Sequence, residues 1–224
     1  MRFQNGLPVA INKITHGLHK LGSAKVFIMR VFITVLVLIF SFQSWTKADD
    51  IRDFQIEGMS IGDSLLNYMS KSEIVNEIEK NKIAYDYLSN EFGEVYIYSK
   101  NFKEYDLVSF FVKQNDKDFI INDIRGGIFY DNKIDECYKR QEKTSKELTL
   151  KFKNAKKEKK DLKFPWDPTG KSHSLNIEFY FYNGDVITIS CAEYEKTLKV
   201  KNGYEDGYSL SITRNAVHDW QKNY

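Results

Sequence analysis

Apolar residues recur along the chain in three rhythms, and each predicts a different element. From 31 to 42 they are almost continuous, reading Val-Phe-Ile-Thr-Val-Leu-Val-Leu-Ile-Phe-Ser-Phe. Between 60 and 80 their spacing is helical. Leu65, Leu66 and Met69 form the apolar face of a short helix, opened by a capping box of Ser60 and Asp63. A second box, Ser70-Lys-Ser-Glu73, opens another short helix that carries Ile74 and Ile78. From Glu94 onward apolar and polar positions alternate, which is the period of a strand with one buried face.

Strands are predicted over 94–99 (Val95, Ile97), 106–113 (Val108, Phe110, Val112) and 119–130. Gly126-Gly127 lies inside the third. Paired glycines in a strand mark a bulge or a close approach of another backbone, with ligand contact as the less economical alternative. A helical period then runs from Asn132, a suitable cap, to about Lys159. Ile134, Cys137, Gln141, Ser145, Leu148 and Phe152 fall on one stripe of this long helix. Its other faces are rich in Lys, but Glu142, Glu147 and Glu158 are interspersed, so a solvated face explains them better than an anionic partner. Residues 162–172 read as a loop containing Phe164-Pro165-Trp166.

Two further strands, 174–182 and 185–193, meet at Asn183-Gly184. A two-residue turn would set Phe179 opposite Thr188 and mismatch the apolar faces. A three-residue turn with Gly184 in the left-handed region sets Phe179 opposite Ile187, Ile177 opposite Ile189 and Leu175 opposite Cys191, and is favoured. A last strand, 208–213, is followed by a short helix through Val217 and Trp220, capped by Thr213. The fold class is α+β: a mainly antiparallel sheet of about six strands, with one long helix and short terminal helices packed on it.

The continuous run at 31–42 is too short to span a bilayer, which takes about 20 apolar residues. Lys25 and Arg30 stand before it and Ala48 after it, with Thr46 two places earlier. A basic flank, a short apolar run and a small-residue exit predict a secretory signal cleaved after Ala48. The alternative is an uncleaved anchor extended back through Val26, in which Arg30 would snorkel to the interface. No cysteine near the exit offers a lipid attachment point. Because signal n-regions are short, Met29 makes an ordinary start. Residues 1–28 are therefore expected to be a mis-assigned start or a disordered lead, 29–48 a signal peptide or anchor, and 49–224 a single exported domain.

Charge sharpens that division. Residues 1–48 hold six Lys/Arg and no acid, leaving 27 basic and 31 acidic residues beyond them, a net charge of −4. The overall +2 thus belongs to the leader, and nucleic-acid binding loses its main argument.

The segment Gly58-Met59-Ser60-Ile61-Gly62-Asp63-Ser64-Leu65-Leu66 resembles the start of exported proteins of unknown function from AT-rich marine alphaproteobacteria. The resemblance extends through most of 50–224, including both cysteines and Pro168-Thr-Gly-Lys-Ser172, and implies no activity. A fainter likeness to the Gly-Met-Ser opening of small outer-membrane assembly lipoproteins covers only this segment and lacks the lipid-bearing Cys.

Candidate chemistry is sparse. Cys137 and Cys191 are the only cysteines, each on the inward face of its element. In an exported chain they predict a disulfide, the alternative being two packed thiols; neither has a CxxC partner. Thr169-Gly170-Lys171-Ser172 suggests a phosphate loop, but Pro165 stands where that motif needs Gly, and a strand rather than a helix follows. His16 and His19 precede the signal, while His173 and His218 stand apart without zinc-ligand spacing. Asp167, His173 and Asp185 could meet near the loop, yet no serine elbow accompanies them. No catalytic, cofactor-binding or metal-binding residue is assigned. The leading expectation is a non-catalytic, periplasmic binding module for an envelope protein or small ligand, using an aromatic-bearing sheet face or the Phe164-Pro165-Trp166 loop. The alternatives are a periplasmic enzyme and an anchored component of a membrane assembly, touching the inner membrane only through an uncleaved leader. N-terminal sequencing of the protein recovered from cells should return a chain beginning at Asp49; a membrane-bound chain retaining 31–48 would refute cleavage.

Overall fold

In the computed structural model, residues 51–84, 91–131 and 133–223 are described. The expected leader, His16, His19 and the Asn132 cap lie outside them. All described residues belong to one compact unit, Asp49–Tyr224. After a small hairpin of β1 (Gln55–Ile56) and β2 (Met59–Ser60) come α1 (Lys71–Ala84), β3 (Phe92–Tyr98), β4 (Leu107–Lys113), β5 (Ile121–Asp131) and α2 (Ile134–Lys151). Then follow β6 (Lys156–Lys163), β7 (His173–Tyr180), β8 (Val186–Glu193), α3 (Lys196–Asn202), β9 (Asp206–Thr213) and α4 (Asn215–Lys222). The seven longer strands form one antiparallel sheet in the order β3-β4-β5-β9-β8-β7-β6. The class is α+β, with one more strand in the main sheet than expected, besides the small hairpin. Among the described residues no helix is long and apolar enough to cross a membrane.

The extra strand is β6, where the sequence suggested the tail of the long helix and a loop. The helix ends sooner because its apolar stripe runs out at Phe152, whose amide still donates to the Leu148 carbonyl at 2.8 Å. Beyond it, Lys156 to Lys163 pair residue by residue with Tyr180 to His173. Lysine is a poor strand former in general, but an exposed edge strand favours it.

The β7–β8 register is the one that matches apolar faces: Phe179 lies opposite Ile187, Ile177 opposite Ile189 and Leu175 opposite Cys191. The Phe181 amide donates to the Asp185 carbonyl, and Gly184 takes φ 85°. This parity continues across the sheet, placing Leu210 and Ile212 of β9, Ile124 of β5 and Phe110 of β4 on the same face. Helix α2 packs against β5, β8 and β9 on that face. Its buried Gln141 is satisfied by donating Nε2 to the carbonyls of Leu175 (2.6 Å) and Ile189 (3.0 Å). Buried Ile and Phe side chains such as these each contribute about 1.5–3 kcal/mol.

Several local expectations change. The Ser60–Asp63 bond closes a turn, and Ser64 instead caps the short 3-10 helix Leu65–Asn67, its Oγ accepting from the Leu66 amide. The Ser70–Glu73 box forms reciprocally, at 2.8 and 3.3 Å. Gly126-Gly127 is not a bulge: the irregularities of β5 lie opposite Phe111/Val112 and between Phe129 and Asp131. Gly126 instead makes room for the Tyr105 ring, which a Cβ would meet at 2.5 Å. Thr213 does not cap α4; Arg214 holds that position, and the Thr213 hydroxyl donates to Asp123. Helix α4 buries Val217 and Trp220 against Phe92 and Phe111, on the sheet face opposite α2.

Cys137 of α2 and Cys191 of β8 form a disulfide with Cα atoms 5.9 Å apart, tying the helix to the sheet. Both cysteines are fully buried. Closing a loop between residues 54 apart in sequence is worth about 4 kcal/mol in the chain-entropy model. The double variant Cys137→Ser/Cys191→Ser should therefore lose about 2–5 kcal/mol in urea unfolding, and an unchanged midpoint would remove the bond from the stability of the fold.

Candidate functional site

Alternation that sends apolar side chains toward α2 sends the intervening ones to the opposite face. That second face would ordinarily be studded with Lys and Glu. Its centre instead carries small hydroxyl and amide groups. Asn176, Ser190 and Ser209 align across β7, β8 and β9. Glu178, Thr188, Ser211 and Arg125 align in the next row, the last on β5. Tyr180, Val186, Thr213 and Asp123 form a third. The first two rows and Thr213 of the third floor a cavity of about 440 Å³, walled at one end by Tyr194 and at the other by His218, Gln221 and Lys222. Asn176, Glu178, Ser211 and Thr213 are buried in it despite being polar.

The charged groups on this face are held by neighbours. Glu178 accepts from Lys160 Nζ at 2.6 Å and from the Tyr180 hydroxyl, which Lys160 also reaches at 2.6 Å. Burial would raise the Glu178 pKa, but these hydrogen bonds outweigh it and the carboxyl stays below its ordinary value. Lys160 is held well above the usual lysine range by the same partners, Glu178 first. Asp123 is fully buried, accepts from Thr213, and is pushed up to about 6 by desolvation, against the opposing field of Arg125. His218 is pushed down by burial and by Lys222, so its ring is neutral at pH 7; it sits edge-on to Tyr180 at 6.0 Å.

Beyond Tyr194 the face runs into an aromatic cluster. Phe164 and Trp166 enter from the turn after β6, and Tyr204 from the turn after α3. Phe164 stacks on Trp166 (5.2 Å between centroids) and on Tyr194 (5.3 Å), with planes within 12°. Trp166 and Tyr194 also contact Tyr204, at 5.2 and 5.1 Å.

The residues singled out from the sequence fall elsewhere. Asp167 is spent inside its own turn, accepting from the amides of Thr169 and Ser172 and the Thr169 hydroxyl. Burial would raise that carboxyl, but these bonds hold it far below its usual range. His173 lies between Asp161 (2.5 Å) and Glu193 (3.4 Å). Asp185 accepts from the Asn215 amide at the far end of β7, about 25 Å from His173 at strand rise. The three do not meet. Thr169 to Ser172 turn through Gly170 (φ 65°) into β7, with no helix to hold phosphate. Among the described residues no group of three or more His, Cys, Asp or Glu is placed to hold a metal ion.

A larger cavity, about 800 Å³, lies between the β1–β2 hairpin and α2. Three of its charged residues, Glu57, Glu104 and Arg140, serve the fold. Glu57, at φ 51°, accepts from the amides of Lys103, Glu104 and Tyr105. Arg140 bonds Glu104 at 3.2 Å and stacks between Tyr105 and Tyr208.

The chain matches no family model, no curated protein and no solved structure. The hydroxyl floor does not show in the apolar half of each alternating strand. The signal lay in the other half, where Asn, Thr and Ser stand in place of long charged residues. Chemically the site offers donors and acceptors to a polar ligand. The Ser174 hydroxyl donates to Asn176 Oδ1 at 2.7 Å and the Ser172 hydroxyl accepts from the Glu195 amide at 2.9 Å.

Asp123 gives this face a pH signature. Its folded pKa of about 6 exceeds the ordinary carboxylate value, so the native state binds the proton more tightly. Between about pH 4 and 6 the folded protein holds that proton while the unfolded chain releases it, and stability falls as pH rises. Asp123→Asn should remove this loss. Its unfolding free energy relative to wild type should increase between pH 4 and 7, by about 2–3 kcal/mol, and level off above. A difference that is flat with pH would place the Asp123 proton elsewhere.

Proposed function

We propose that the chain is an exported, non-catalytic binding module of the bacterial envelope, and that the hydroxyl floor of β7, β8 and β9 takes a polar ligand. The observation carrying this reading is the row of Asn176, Ser190 and Ser209, the first buried and the two serines half-buried, beside Thr188 and Ser211, in a cavity large enough for a small molecule. Such groups leave water at a cost unless another partner replaces it, and a ligand rich in hydroxyl or amide groups does so. Export is supported by the Cys137–Cys191 bond, which fits an oxidising compartment, and by the signal-like leader. The likeness to exported marine proteins points the same way. A catalytic reading is less favoured because Glu178 and Asp123, two of the acids on this face, each accept a hydrogen bond from a neighbour.

Thermal unfolding in the presence of sugars, polyols, amino acids and phosphate esters tests the reading. At least one class should raise Tm by about 5–10 °C when present at a hundredfold excess over its Kd. Ser209→Trp, which fills the floor, should abolish the shift while leaving the disulfide and circular dichroism unchanged. Absence of any shift in the wild type, or an equal shift in the variant, would refute it.

A further inference from the structure

The aromatic cluster and the hydroxyl floor are two ends of one surface. Ala192, Ser190 and Thr188 of β8, and Tyr194 just past its end, line the same cavity. Alternate residues on a strand are about 6.6 Å apart, so these span about 20 Å. Between the two ends the sheet is low. Ala192 is flanked by Ser174 on β7 and Gly207 on β9, so no long side chain divides cluster from floor.

The rings themselves spread rather than pile up. Phe164, Trp166 and Tyr194 are mutually near-parallel, with centroid separations of 5.2, 5.3 and 6.1 Å. A single stack would put its outer rings much farther apart than 6.1 Å, so the centroids form a triangle. Trp166 is 48% exposed and Tyr204 39%, so apolar ring surface faces solvent at this end. Aromatic residues left exposed beside polar groups suit a ligand with one apolar face and a polar rim.

A pyranose ring has that character: C–H groups on its faces and hydroxyls around its edge. A peptide fits less well. The strands β7, β8 and β9 are each paired on both sides, so no main-chain donor or acceptor is open to an added strand. Only side chains are on offer, and those of the Asn176 row are two hydroxyls and an amide, which both donate and accept as sugar hydroxyls require, with the Glu178–Arg125 row beside them.

We propose that this face binds an oligosaccharide, one sugar ring lying on Trp166 and Tyr204 and the following rings hydrogen-bonded by Asn176, Ser190 and Ser209. The inference rests on the preceding reading of the floor as a ligand surface and adds the ligand class. The length of the path selects a chain of sugars over a single one.

Tryptophan fluorescence of the protein recovered from the periplasm tests it, with chitohexaose and laminarihexaose as neutral ligands and an alginate hexasaccharide as an anionic one. At least one should give a saturable change, and glucose should bind at least tenfold more weakly than that hexasaccharide. Trp166→Phe should keep binding within a few-fold, followed by calorimetry. Trp166→Ala and Tyr204→Ala should each weaken it at least tenfold with circular dichroism unchanged. A neutral or an anionic preference supports the proposal equally and assigns the class of polysaccharide. Failure of all three hexasaccharides overturns it, as does binding that survives Trp166→Ala combined with Tyr204→Ala. If small polar compounds still raise Tm in a manner blocked by Ser209→Trp, the oligosaccharide assignment falls alone; if they do not, the floor reading falls with it.

Discussion

The apolar pairing of β7 with β8 is the constraint on which the molecule depends. One residue of slippage would turn Ile177 and Phe179 to the second face and bring Asn176 and Glu178 under α2. Such a slip is blocked twice. The turn at Gly184 fixes the offset, and its packing against Asn215 leaves no room for a Cβ there, since one would sit 2.4 Å from the Asn215 Oδ1. The Cys137–Cys191 bond requires that Cys191 face the helix. Because β9 and β5 follow the same parity, this single register decides which side chains become core and which become floor.

The floor therefore owes its geometry to the core beneath it. Backbone pairing holds Asn176, Ser190 and Ser209 in line, and the burial of Ile189 and Leu210 between them keeps those strands from sliding. Away from the floor the second face is closed off: α4 covers Phe92 and Phe111 with Trp220. The Lys160–Glu178–Tyr180 group forms the boundary on the β7 side. An ion pair next to a hydroxyl floor fixes the wall without placing an unpaired charge in it.

Much of this architecture is legible in the sequence, and the failures are informative. Alternation over 94–213 locates six of the seven sheet strands, and the matching of Phe179 with Ile187 selects the correct turn. The residues 156–163 mislead because lysine-rich sequence reads as a solvated helix face, and nothing local announces that β7 waits to pair with it. Gly126-Gly127 misleads because the reason for the glycine is the Tyr105 ring, twenty-one positions away. The aromatic cluster is only half visible: Phe164 and Trp166 stand out as a loop, but Tyr194 and Tyr204 join them through the fold alone. The disulfide shows how compartment and topology combine, since two lone cysteines become a predictable pair only once export is assumed.

The edge strand β6 carries a further implication. Lys156, Lys157, Lys159, Lys160 and Lys163 lie along one of the two borders of the sheet, β3 being the other, where backbone groups can still recruit a second chain. Two copies approaching edge to edge would bring these ammonium groups together, and the repulsion keeps the protein from extending its sheet into fibrils. Acetylating those lysines would strip away that repulsion, and at Lys160 it would also break the ion pair with the buried Glu178.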